Sequence, residues 1–259
     1  MELHRVILTK EKLAAMPQAE RSLLLLLGHA SNEINVLSKL ILMMRKGEAP
    51  SQLVDHVEAG QIFILMRVLI GKLHEAWLLY KKRVQADRII NDKFVPHLSQ
   101  EATTALAKLN DHFGRGTPIT KIRNKASFHY TDNDNLAEEN FQRLPATEPW
   151  EFYLTKSVGN SFYFAAELVA AGTAINLAKD QADPSSTALD AFGDLCDDVI
   201  FVSGQITELF GSLISDIVMA SIPDVEVKIE QLPDGPKIST FCLPFYFDEN
   251  DSLTPQAKS

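Results

Sequence analysis

LLLLLGHASNEINVLSKLILMM, residues Leu23 to Met44, decides the fold class. Leu23, Leu27, Ala30, Ile34, Leu37, Ile41 and Met44 recur at alternating steps of four and three. That spacing lays one apolar stripe along a long helix and cannot sit on one face of a strand. Gly47 and Pro50, in RKGEAPS, supply a helix stop. The same spacing returns at Ile62, Met66, Leu69, Leu73, Ala76 and Tyr80, and Lys81 to Arg83 suit a C-terminal end. Two long amphipathic helices joined by a short link pack antiparallel.

Working outward, Ser99 is placed to cap a further helix through QEATTALAKLNDHF. In the second half, WEFYLT (Trp150 to Thr155) alternates weakly, as a short strand or an irregular segment would. SFYFAAELVAAGTAINLAK is helix-like, and a long helical pattern follows the start signal Asp183-Pro184-Ser185. VEVKIEQLPDGPKISTF alternates on both sides of Pro233-Asp234-Gly235, which predicts a small β-hairpin. The expected architecture is mainly α: a helical bundle with two long antiparallel helices over residues 1–222, then a small C-terminal β-hairpin and loose tail over 223–259.

Composition narrows the functional classes. The hydrophobic share of 46% is ordinary for a globular chain of 259 residues. Two cysteines, Cys196 and Cys242, cannot build a disulfide framework and fit the reducing cytoplasm. IFILMRVLI (Ile62 to Ile70) carries Arg67 and is far shorter than a membrane span of about 20 residues, so no membrane partner is expected. The net charge of −9 is unevenly spread. Residues 1–130 hold 19 Lys and Arg against 12 Asp and Glu, and residues 131–259 hold 6 against 22. The basic half can attract phosphate; the acidic half either masks that surface or only solubilises the chain.

Most chemical motifs are missing. There is no phosphate-binding glycine loop, no dinucleotide fingerprint, no His-Glu-x-x-His and no Glu-x-x-His. No cofactor and no metal site are expected. Asp190, Asp194, Asp197 and Asp198 read as a solvated helix face before a cation site. His29 and His74 lie on the first two long helices beside polar neighbours and read as hydrogen-bonded structural histidines.

The remaining candidate is GTPITKIRNKASFHY, Gly116 to Tyr130. Thr117 can be an N-cap and Pro118 fits the first helical position. Ile119, Ile122, Ala126 and His129 continue one stripe, while Arg123, Ser127 and Tyr130 form the neighbouring one. Positions 123 and 129 differ by roughly 120° around a helix. Arg123, followed by Asn124 and separated from His129 by five residues, resembles the Arg-x(4–6)-His signature of the HEPN superfamily, in particular its abortive-infection-like branch. The resemblance covers about residues 18–145.

That resemblance implies a metal-independent endoribonuclease of a phage-defence or toxin–antitoxin system. It further implies RNA as substrate, a homodimer whose two motifs share one cleft, and an antitoxin or regulatory protein as partner. His129 would be general base or acid, Arg123 would offset charge on the phosphate, and Asn124 would orient the pair. Lys121, Lys125, Ser127 and Tyr130 would contact substrate. A non-catalytic RNA- or protein-binding helical module fits the same pattern. In it, Arg123 pairs with a carboxylate on a neighbouring helix and His129 interacts with free carbonyls at a helix end.

Overall fold

A computed structural model of the chain describes residues 2–44, 51–124, 138, 141–142, 150–155, 161–179, 188–222 and 224–235. The fold is mainly α, as the spacing predicts. In chain order come β1 (Glu2–Ile7), α1 (Lys10–Ala15), α2 (Gln18–Met44) and α3 (Gln52–Tyr80), which runs on into a π-helical turn, Lys81–Gln85. Then follow α4 (Arg88–Phe94), a 3-10 turn (Val95–His97), α5 (Gln100–Gly114), α6 (Pro118–Ile122), α7 (Phe164–Lys179), α8 (Ala188–Ser221) and β2 (Glu226–Gln231).

The two stripes do what their spacing requires. On α2, Leu23, Leu27, Ile34 and Met44 are buried, and Ala30, Leu37 and Ile41 pack half-buried beside them. Leu25 and Leu26, which fall off the stripe within the same run of leucines, are exposed. On α3, Met66, Leu69, Leu73, Ala76 and Tyr80 are buried against α2. Ser51 caps α3 by accepting from the Val54 amide at 3.3 Å, and Ser99 caps α5 by accepting from Ala102 at 3.0 Å. Each bond satisfies one of the amides that a helix start leaves without a partner.

The spine of the bundle comes from the acidic half. Along α8, Leu195, Val199, Val202, Ile206, Leu209 and Leu213 repeat the 4-3 spacing, Ile217 follows four residues on, and all are almost wholly buried. This one helix touches α2, α3, α4, α5 and α7, and its stripe belongs to the same core as the stripes of α2 and α3. Two polar pairs tie the spine to the basic half. Glu20, only 5% exposed, accepts from Lys93 Nζ at 2.6 Å and from the Ser221 hydroxyl. Burial pushes the Glu20 carboxyl up, but the bonds from Lys93 and Ser221 and the Lys93 charge outweigh it and hold the pKa below its ordinary 4.5. His112 Nε2 on α5 lies 2.8 Å from Asp198 Oδ1 on α8.

The small sheet differs in its pairing. β2 forms where alternation predicts the first arm of a hairpin, but its partner among the described residues is β1, at the other end of the chain. The strands run antiparallel, with Glu2 opposite Gln231 and Ile7 opposite Glu226. Lys12 Nζ donates to the Asp224 carbonyl at 2.9 Å and pins the approach to β2. Asp224 itself takes φ 57, a left-handed conformation that aspartate tolerates better than most residues. The second arm of the expected hairpin, beyond residue 235, lies outside the described residues. WEFYLT contributes one isolated antiparallel bridge, Tyr153 to Phe162.

Candidate functional site

α6 begins as its sequence dictates. Thr117 sits at the N-cap with Pro118 directly after it. The Thr117 side chain, however, is buried and makes no capping bond; its Oγ1 has no partner among the described residues. Ile119 and Ile122 are completely buried in the protomer's own core. The stripe that the helix presents is thereby consumed inside the fold, and these two isoleucines are not available as contact area between two copies.

Arg123 closes α6 with a helical backbone, φ −54 and ψ −46. Its side chain runs along the bundle surface to Glu75 of α3. Nε donates to Glu75 Oε1 at 3.1 Å, and Nη2 donates to the same oxygen. Nη1 donates to Asn124 Oδ1 at 3.1 Å. A guanidinium carries five N–H donors; three are directed at these two partners, and the other two have no partner among the described residues. The Arg123 side chain is 32% exposed, so the remaining donors lie at the border of core and solvent. Lys121, two residues back, is half-buried, and Asn124 is exposed.

His74, next to Glu75 on α3, faces inward. Its ring packs edge-on against Phe113 of α5, with centroids 6.1 Å apart, and Phe113 stacks on Trp77 at 5.1 Å. Burial lowers the His74 pKa below its ordinary 6.5; the Arg123 charge lowers it further, and Glu75 opposes both. The imidazole is therefore neutral at pH 7. Its Nδ1 has no partner among the described residues.

The structure thus brings together Arg123 and Asn124 of the predicted set, with Lys121 on the same helix. Lys125, Ser127, His129 and Tyr130 lie outside the described residues. The contact that sequence reasoning did not name is Glu75. Nothing local marks it, because 48 positions separate it from Arg123. The other polar residues have different settings. His29 is exposed and lies 3.7 Å from Glu33 on its own helix, while Glu33 also accepts from Lys72 at 2.5 Å. Asp194 and Asp197 are exposed, and Asp198 is half-buried against His112. Among the described residues no cluster of three or more His, Cys, Asp or Glu is arranged to hold a metal ion. No described helix is long and apolar enough to cross a membrane.

Comparison with known proteins adds no relative. No family model matches the chain, and no significant match appears among curated proteins or solved structures.

Proposed function

We propose that the chain is a metal-independent, HEPN-like endoribonuclease, with Arg123 as its phosphate-facing cation and His129 as the group that moves the proton. One observation carries the reading: the Arg123 guanidinium is fixed by Glu75 and Asn124 at a partly exposed helix end, and its other two N–H donors have no partner among the described residues. A preoriented guanidinium is suited to gripping a phosphate through two parallel bonds. RNA brings its own nucleophile, the ribose 2′-hydroxyl, so the protein need supply only a proton acceptor and compensation for charge on the phosphate. A histidine titrates near neutrality and suits the first task. Action as a homodimer in a defence or toxin system, under an antitoxin or regulatory partner, belongs to the same proposal.

The test is RNA cleavage with EDTA present throughout, wild type against His129→Ala. Loss of a general acid–base group is expected to lower the rate about 10²- to 10⁴-fold. Equal rates would remove His129 from the chemistry.

The Glu75 pair also favours a second reading, a non-catalytic RNA- or protein-binding module in which Arg123 is a structural ion-pair residue. Glu75→Gln separates the two. In the enzyme it loosens the guanidinium and lowers the cleavage rate, by up to about 10²-fold if the group is displaced by an ångström. In the module there is no cleavage to lose, and only thermal stability changes.

A further inference from the structure

α2, α3 and α8 splay apart where the C-terminal end of α2 meets the N-terminal part of α8, and a recess of about 530 Å³ opens between them. It reaches inward to Met66, Leu69 and Val199, which are 4%, 2% and 1% exposed, and outward to a rim where Leu42 and Ile200 are exposed. Its size and apolar walls are those of a small-molecule site. The depth argues against a helix of another protein as occupant. Such a helix would lie across the rim and leave the inner part empty, whereas a slender hydrocarbon chain can follow the recess down.

Charge selects the head group. Asp197 is the one charged side chain among the described residues of the wall, and no lysine, arginine or histidine lines it. A carboxylate or phosphate head would meet Asp197 with no compensating cation among the described residues of the wall; an ammonium would be attracted to it. Ser38 lines the same recess, and a serine hydroxyl can accept from a donor. Gly193, at the rim on α8, leaves space that a side chain would fill: a Cβ built on it meets nothing within 4 Å. We propose that the recess between α2, α3 and α8 is a binding site for a small amphiphilic amine, a hydrocarbon body carrying one ammonium group. This site is separate from Arg123 and does not depend on the function proposed for it.

The experiment titrates the full chain with decylamine, decanol and decanoate, each below its micelle concentration. The readout is alkylation of Cys196, whose side chain lines the recess, followed by mass spectrometry on its own peptide. Decylamine is expected to slow the alkylation with a dissociation constant about two- to fivefold below that of decanol, the range of a single exposed charge pair. Decanoate should bind more weakly than decanol. Asp197→Asn should erase the difference between amine and alcohol, and Gly193→Leu should abolish protection by all three while far-UV circular dichroism stays unchanged. Leu42→Gln, at the exposed rim, should weaken all three and gives a second reading should Gly193→Leu disturb the helix. The proposal is overturned if decylamine gives no protection up to its solubility. It is equally overturned if decanoate protects as well as decylamine, or if neither Gly193→Leu nor Leu42→Gln reduces protection.

Discussion

Two neighbouring residues on α3 show how one turn of helix can serve two environments. Glu75 reaches the surface and holds Arg123, while His74 turns toward the ring of Phe113, which stacks on Trp77. A buried imidazole beside a guanidinium is driven to its neutral form. The consequence for stability has a definite sign. The folded pKa lies below the unfolded value of about 6.5, so the unfolded chain takes up the proton first as pH falls. The stabilisation is present above pH 6.5 and is lost as pH drops from there toward the folded value. Melting temperatures measured between about pH 7.5 and about pH 5 should therefore fall less steeply for His74→Leu than for the wild type. Parallel curves for the two proteins would show that His74 does not titrate differently in the folded state.

At the scale of elements, α6 is the link between core and candidate site. Ile119 and Ile122 fasten it to the core, and the next residue carries the guanidinium. Truncating a fully buried aliphatic side chain costs about 2–5 kcal/mol, so Ile122→Ala should lower stability by that amount. The loss should be independent of protein concentration, because the side chain packs within one protomer. A loss that grew on dilution would instead put Ile122 at an interface between copies. The stripes of α2 and α3 were legible in the sequence, because a 4-3 repeat has one physical meaning and needs no knowledge of the partner; α8 was legible only as a long helical pattern. The pairing of β1 with β2 was not. Alternation in VEVKIEQ marks a strand, but ELHRVI is half polar, and nothing local specifies that Glu2 will lie opposite Gln231. The Glu75–Arg123 pair was hidden for the same reason. The helix start at Thr117-Pro118 was readable; the inward turn of the Thr117 side chain depends on packing that no local pattern encodes.

For the whole molecule, the uneven charge of the two halves does not correspond to two separate bodies. α8, from the acidic half, is the spine around which the helices of the basic half pack. Glu20 bonded to Lys93 and Ser221, and His112 paired with Asp198, join the halves through buried or half-buried polar groups. A chain ending near Asp183 would lose that spine and expose the stripes of α2, α3 and α5. It should be unfolded or aggregated by circular dichroism and light scattering; a cooperative melt would contradict the assignment of α8 to the core. α8 therefore cannot be a removable mask over the basic half.

The chemistry proposed for Arg123 and His129 turns on the nucleophile. The most direct measurement offers the protein two substrates of one sequence, an RNA and its fully 2′-O-methylated counterpart, in EDTA, with Arg123→Ala and His129→Ala as controls. Wild type should cleave the RNA and leave the methylated strand intact, and both variants should lose the activity. Cleavage of both substrates, cleavage by either variant at the wild-type rate, or no cleavage of RNA at all would contradict that chemistry.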